Sequence, residues 1–178
     1  RTLKGKRLLG RETLIAAFAA AIVVLAIIIT INDERTKQVE LTDTLVAAGL
    51  SKVDISLHGA TAHCHDYHTG VAGSFDETYR GIQTVVAAGV DVGITTVITR
   101  SNYRQLSDLV TMISELQVQA FHCTFPRAYG KARLQLERLI APFPVILPHL
   151  SRAARKARAL GLPIAISGAP LCILGASA

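Results

Sequence analysis

The sequence predicts an α/β fold with about five parallel strands, and three observations indicate this. Half of the 178 residues are hydrophobic and only 5% are aromatic, a composition that suits buried parallel strands covered by helices. Three helices end in AAGL, AAGV or ALGL, at Gly49, Gly89 and Gly161, and a strand follows each of them. Regular helix–strand alternation is typical of right-handed βαβ units. Five strands are too few for a closed eight-stranded barrel, so we expect an open sheet or part of a barrel.

The elements follow from hydrophobic periodicity and from the turn residues between them. The predicted strands lie at 23–31, 52–58, 92–99, 118–125 and 162–167. The predicted helices lie at 13–21, 41–48, 74–88, 102–116 and 151–160. Two of these helices begin with a capping-box pattern, at 74–77 and 102–105. Three prolines within 133–148 predict irregular chain or a short helix there.

The apolar stretch 14–31 has two interpretations. Only Thr30 is polar among its eighteen residues, and a basic segment precedes it, which is typical of a short membrane span or signal anchor. The alternative is an Ala-rich helix at 13–21 and a buried strand at 23–31, because runs of isoleucine and valine favour strands. We favour the helix and strand because the same alternation continues through the rest of the chain.

Charge and cysteine content limit the partners and the compartment. The net charge is +6, and residues 127–158 hold eight basic residues and one acidic residue. That segment has no aromatic interleaving and no nucleic-acid motif, so a solvated helix face explains it better than nucleic-acid binding. The three cysteines (Cys64, Cys123 and Cys172) form no CxxC pair, which indicates a reducing, cytoplasmic setting without a disulfide framework.

Polar residues concentrate between 52 and 75. The predicted strand alternates apolar residues with Asp54, Ser56 and His58, as expected of a strand with one side in a hydrophobic layer and the other lining a cavity. Four of the six histidines lie within 58–68. Because β/α proteins place their sites just past the carboxyl ends of strands, we expect the functional site here.

The motifs of residues 40–132 resemble those of radical S-adenosylmethionine (SAM) enzymes. A strand ends in SLHG, a loop reads HDxxTG, GSF opens a helix, AAG forms a turn, and the next strand ends in VITRSN. The later loop FPRAYGKA resembles the same family. The resemblance implies a partial (β/α) barrel of the radical SAM type, with 1–132 as an N-terminally truncated core and 133–178 as a flanking β/α segment.

The resemblance also implies residue roles. The segment GRETL at 10–14 resembles the family's GGEPTL motif, which holds the SAM amino group, and Thr30-Ile-Asn resembles the TNG end of the next strand. Inward positions on the later strands are expected to contact the cofactor as well. The implied SAM-binding residues are Gly10, Glu12, Thr30, Ser56 and Thr96. The implied substrate-side residues are His58 and Asn102.

The family's cluster-binding motif, CxxxCxxC, is absent from the sequence. In the family, those cysteines ligate a [4Fe–4S] cluster that reductively cleaves SAM to a 5′-deoxyadenosyl radical, which abstracts hydrogen from a substrate. We therefore expect a fragment that is inactive alone, from a protein that uses an electron donor and a small-molecule or peptide substrate. Cys172 is a candidate ligand of an auxiliary cluster, and no residue is assigned to catalysis.

Two other function classes stay open. His63 and His65 form the HxH pattern of metal-dependent hydrolases built on (β/α) barrels, and His122 is the only internal candidate for a further ligand. The pattern lies beyond the predicted end of the strand, which makes this class less favoured. The other class is a non-catalytic membrane-anchored module that uses 14–31 as its span.

Overall fold

The structure, a computed structural model, describes residues 22–25, 33 and 35–169, which belong to two compact units, 1–41 and 42–178. In the first unit, residues 22–25, 33 and 35–41 are helical. The prediction of a strand at 23–31 is therefore wrong at residues 23–25. β-branched residues favour a strand only where a neighbouring strand pairs with them, and a short apolar run does not distinguish strand from helix.

Several predicted features lie outside the described residues. These are residues 26–31 of the predicted strand, most of the apolar stretch 14–31, and the sites at Gly10, Glu12, Thr30 and Cys172. Among the residues that are described, no helix is long and apolar enough to cross a membrane.

The second unit contains a parallel sheet, as predicted. Its strands are β1 (Lys52–Ser56), β2 (Asp91–Val97), β3 (Ala120–Thr124) and β4 (Ile164–Ser167), in the order β1-β2-β3-β4. All three neighbouring pairs are parallel. The sheet confirms the α/β class and fits a partial barrel, but the described chain forms four strands instead of about five.

Helices connect the strands. They are α1 (Ala62–Thr69), α2 (Ser74–Ala87), α3 (Leu106–Glu115), α4 (Leu136–Leu139) and α5 (Phe143–Ala159), with 3-10 turns at Tyr103–Gln105 and Gly130–Gln135. The unit opens with helical residues 42–47, and the chain then turns into β1 at Gly49. Gly49, Gly89 and Gly161 have φ of 98°, 78° and 68°. The three predicted glycine turns are therefore confirmed, because this left-handed conformation favours glycine at a helix end.

One face of the sheet packs against helices and forms the core. Ile94 and Phe121 on the strands are fully buried, as are Leu109 of α3 and Ile146 of α5. Residues on the opposite face, such as Ser56 and Ala165, are exposed. The sheet thus has a covered apolar face and a face that no described helix of this unit covers, here called the open face.

Helix α5 begins eight residues before the predicted helix at 151–160. Pro144 lies in the first turn, where a backbone N–H would have no hydrogen-bond partner within the helix, so its absence costs nothing. Pro148, in contrast, lies inside the helix. The buried residues Ile146, Leu150, Ala153 and Ala157 recur at spacings of four, three and four. Burial of that apolar stripe offsets the bond that Pro148 cannot make, which local propensity does not reveal.

Candidate functional site

The open face carries a row of polar side chains across the sheet. Ser56 on β1 lies beside Thr95 on β2, and Thr95 lies beside His122 on β3. The Nε2 atom of His122 lies 2.8 Å from the Ser167 hydroxyl, which donates to Thr124 Oγ1 over 3.1 Å. These hydroxyls and the imidazole form a hydrogen-bonding surface next to the carboxyl ends of the strands, where parallel sheets bind ligands.

The predicted SAM residue Thr96 lies on the covered face. Its side chain is fully buried and its hydroxyl donates to the carbonyl of Leu57, so it does not point inward as expected. Thr95 holds the inward position beside Ser56. β2 contains both threonines among apolar residues, so polar alternation could not tell which of the two faces the open side. Only the register with Ser56 identifies Thr95.

Asn102, expected on the substrate side, joins the ends of β1 and β2. The side chain is fully buried. Its Nδ2 donates to the carbonyls of Val97 at 2.8 Å and His58 at 2.9 Å, and its Oδ1 accepts from the Thr99 amide at 2.7 Å. The carboxamide is therefore fully used in holding the two strand ends together.

His58, His65 and His68 cluster behind the end of β1. The amide of His58 donates to Nδ1 of His65 at 3.1 Å, and the His58 ring centroid lies 5.9 Å from that of His65 and 5.5 Å from that of His68. Burial and then the charges of His68 and His65 lower the pKa of His58 to about 4. Burial also lowers the pKa values of His65 and His68. The cluster is consequently packed as neutral rings at neutral pH.

This cluster predicts a loss of stability in mild acid. The unfolded His58 takes up a proton near its ordinary value of 6.5 and the folded residue only near 4, so the unfolding free energy is highest above pH 6.5 and falls as the pH decreases toward 4. We expect a fall of roughly 1–2 kcal/mol from this residue, reduced for a half-buried ring by solvent screening. Urea unfolding at a series of pH values measures it.

The variant for this test is His58→Asn, which keeps a hydrogen-bond acceptor but cannot gain charge. Its unfolding free energy should vary less with pH than that of the unchanged chain. The matched control is His63→Asn at an exposed histidine. An equal change in both variants would contradict the assignment to His58.

The HxH pattern does not form a metal site in the structure. Nδ1 of His65 accepts the amide of His58, and its Nε2 lies 3.5 Å from the Thr78 hydroxyl. His63 is exposed. Within the described residues, no group of three or more His, Cys, Asp or Glu side chains is placed to hold a metal ion. The hydrolase interpretation therefore has no metal centre in this part of the chain.

Asp66 anchors α2. Its carboxylate accepts from the amides of Gly73 at 2.7 Å and Phe75 at 2.8 Å and from the Ser74 hydroxyl at 3.0 Å. The two amide hydrogen bonds are the main reason that the pKa of Asp66 lies below its usual range. The N-cap residue is Gly73 and no side chain caps in the expected way, so the predicted capping box at 74–77 is wrong. A carboxylate eight residues upstream of the helix start performs that role.

The predicted capping box at 102–105 is wrong for a similar reason. Neither Asn102 nor the first residues of α3 make a side-chain cap. The Gln105 side chain instead accepts from the amide of Ala60 at 3.0 Å. Residues 62–69 form α1, which begins after the Thr61 cap, where the sequence predicted a loop.

The described cysteines do not fit an iron–sulfur cluster. Cys64 and Cys123 are buried free thiols. Burial raises the pKa of Cys64, and it raises the pKa of Cys123 to about 12. Cluster ligands are thiolates, so a raised pKa disfavours this role. Cys64 directs its thiol at the carbonyl of His58 over 3.8 Å. No step of a reaction is therefore assigned through a cluster held by these residues.

Known relatives match the chain over about half its length. The AdoMet-dependent heme synthase of Oleidesulfovibrio alaskensis is 36% identical over 85 residues, which is 48% of this chain and 22% of that protein. The mycofactocin maturase MftC of Mycobacterium tuberculosis is 43% identical over 76 residues, 42% of this chain and 19% of that protein. No protein-family model matches the chain.

The AdoMet-dependent heme synthase of Methanosarcina barkeri is 30% identical over 86 residues. Both kinds of relative are radical SAM enzymes. These matches confirm the resemblance. The matched part of the chain spans about a quarter or less of the length of these radical SAM relatives.

Proposed function

We propose that the unit 42–178 contributes part of the SAM site of a radical SAM enzyme, on the open face of its sheet. The observation that carries this proposal is the row of Ser56, Thr95 and His122 across three neighbouring strands, in a chain that resembles such enzymes. A polar row at this position suits a ligand with hydroxyl and carboxylate groups, because each strand supplies one donor or acceptor.

In this proposal, Ser56 and Thr95 bind polar groups of SAM. The hydrogen bonds from His122 to Ser167 and from Ser167 to Thr124 fix the imidazole and hydroxyl orientations before the ligand arrives. Gly93 on the same face leaves room for Asp54, since an added Cβ would collide with the carboxylate oxygen Oδ1 of Asp54. When bound beside a reduced cluster, SAM supplies an organic radical for hydrogen abstraction.

The intact protein would provide what this unit lacks. Gly10 and Glu12 stay proposed ligands of the SAM amino group, and Thr30 stays a further proposed SAM-binding residue. A cluster held elsewhere, an electron donor and a small-molecule or peptide substrate complete the proposal, and two buried free thiols suit a reducing cytoplasm. The division at residue 132 and the auxiliary role of Cys172 also stay predictions.

SAM binding by the chain tests this proposal directly. Titration of SAM followed by amide chemical shifts should perturb residues at the ends of β1 to β3 and saturate. The double variant Ser56→Ala with Thr95→Val should weaken binding about fivefold to tenfold, because it removes two hydrogen bonds. The control Ser107→Ala, on the helical layer in α3, should leave the affinity unchanged. Shifts that avoid the strand ends, or equal affinities, would overturn the assignment.

The radical activity is tested in a protein that includes any coding sequence found upstream of Arg1. After reconstitution with iron and sulfide and chemical reduction, chromatography should detect 5′-deoxyadenosine formed from SAM. The same double variant should slow its formation, and absence of this product from a protein with a full cluster would contradict the proposed chemistry.

A further inference from the structure

A pocket lies at the rim of the sheet, apart from the row of hydroxyls on the open face. Its volume is about 400 Å³, and it is lined by residues of α1, of the loop after β2 and of α4. These three segments follow the carboxyl ends of β1, β2 and β3 respectively. The pocket is therefore at the edge of the sheet where parallel α/β proteins bind ligands. We call it the rim pocket.

The charge of the rim pocket is positive. Arg100 and Arg138 line it and no acidic residue does. Within the described part of the chain, neither guanidinium has a carboxylate within ion-pair distance; the one ion pair found there joins Lys37 and Asp33. Two arginines without a neutralising partner raise the local potential and favour an anion.

Arg100 is held in place by the chain. Its amide donates to the carbonyl of Leu139 at 2.7 Å, and its Nη2 donates to the carbonyls of Glu137 at 2.8 Å and Ile140 at 3.2 Å. These bonds fix the loop after β2 against the end of α4. Arg138 is exposed, and its guanidinium makes no hydrogen bond to a described residue, so its five donors stay available.

Hydroxyl and imidazole groups also line the rim pocket. Ser101 Oγ lies 2.8 Å from Nε2 of His68, and Thr99 Oγ1 lies 2.9 Å from Ser101 Oγ and 3.2 Å from the same imidazole nitrogen. Thr99 donates onward to Oδ1 of the buried Asn102 at 3.3 Å. These groups are therefore joined by hydrogen bonds and anchored in the core, and they line the same pocket as Arg138 of α4.

We propose that the rim pocket binds an oxyanion, the carboxylate or phosphate group of a small molecule, between Arg138 and the Ser101–His68 pair. Guanidinium groups recognise both anions through paired N–H donors, and the hydroxyl supplies a further donor. The further suggestion that this anion is the acidic group of a substrate rests on the proposed function. Anion binding does not require SAM, so anion binding and SAM binding are measured in separate experiments.

The test titrates the full chain with citrate in one series and with inorganic phosphate in another, without SAM, and follows amide and imidazole resonances. We expect saturable shifts at Ser101 and His68 at about millimolar concentrations. Tighter binding of citrate would identify a carboxylate ligand and tighter binding of phosphate a phosphorylated one. Shifts that do not saturate, or that fall outside the rim pocket, would overturn the proposal.

Two variants that each remove one positive charge distinguish binding at the rim pocket from nonspecific attraction of anions to a basic chain. Arg138→Gln should weaken anion binding about tenfold, the worth of one charge-assisted hydrogen bond. Arg133→Gln removes the same charge from the same segment but does not line the pocket, and should change the affinity less than about twofold. Equal weakening by both would overturn the site. Because neither guanidinium bonds to a described residue, both variants should keep the fold, which their amide spectra will show.

Failure of this test and failure of the proposed function have different signatures. If SAM shifts the strand-end residues but neither anion binds, the rim pocket is wrong and the SAM site stands. If the anions bind and SAM does not, the rim pocket stands as a ligand site without the radical SAM assignment. A third variant, Ser101→Ala, should weaken anion binding about threefold to tenfold through the loss of one hydroxyl donor.

Discussion

Replacing Asn102 with leucine should destabilise the second unit by roughly 3–5 kcal/mol, the largest effect that we expect of a single substitution. The carboxamide is fully buried, and it bonds the carbonyls of His58 and Val97 and the amide of Thr99. Leucine has nearly the same size but leaves these three backbone groups without partners in a dry interior, which costs about 1–3 kcal/mol for each. Urea unfolding of both chains measures the difference.

Gln105→Leu is the matched control for that experiment. The side-chain carboxamide of Gln105 also joins two elements, but it accepts only one hydrogen bond, from the backbone amide of Ala60. We therefore expect the unfolding free energy to fall by about 1 kcal/mol. Asn102→Asp adds a further check, because a carboxylate would face two carbonyl oxygens and should be most harmful above its pKa. Its destabilisation should shrink in acid, where a protonated carboxyl can donate again. A loss below about 1 kcal/mol in Asn102→Leu would contradict the role of Asn102.

The second large effect is expected at Gly59, between β1 and α1. A Cβ atom at this position would lie 2.6 Å from Cβ of Cys64 and 2.9 Å from the backbone nitrogen of His65. Because a backbone atom cannot move aside as a side-chain end does, Gly59→Ala should push α1 away from the strand end and destabilise the unit by about 2–3 kcal/mol. Thermal or urea unfolding measures this loss.

Gly81→Ala gives a control with the opposite expected sign. Gly81 lies inside α2, and an added Cβ would meet nothing within 4 Å. Alanine is the better helix former by about 1 kcal/mol, so this variant should be more stable than the unchanged chain. If Gly59→Ala were neutral, or if both glycine variants were stabilised, the close approach of α1 to Gly59 would be refuted.

The features that were predicted correctly from the sequence depend on residues that are close together in the chain. The turns at Gly49 and Gly89 follow from a local conformation that glycine adopts most readily, and the polar position of Ser56 follows from alternation within one strand. These predictions needed no knowledge of the rest of the fold. The strands β1 to β4 were found for the same reason, with ends shifted by a few residues.

The missed features depend on contacts between distant segments. Asp66 caps a helix that begins eight residues later, and Gln105 bonds to Ala60 across 45 positions, so both predicted capping boxes failed. The exchange of Thr96 for Thr95 needed the register between two strands. Arg138 carried no motif at all, and only the fold shows that it shares a pocket with Ser101. Side-chain pairing across the sequence is decided by tertiary packing, which local patterns do not contain.

The positions of the three glycine turns indicate that the two edges of the sheet have different roles, one in folding and the other in binding. Gly49, Gly89 and Gly161 each lie between the end of a helix and the start of a strand. They are therefore at the amino-terminal edge of the sheet, away from the histidines, Asn102 and the rim pocket. Substitutions there should change how readily the domain folds without altering what it recognises. The opposite edge is built from segments of unequal length and shape, which include α1, the loop after β2 and α4. Changes to a single one of these segments can therefore alter which ligand is bound while the sheet and its glycine turns stay the same.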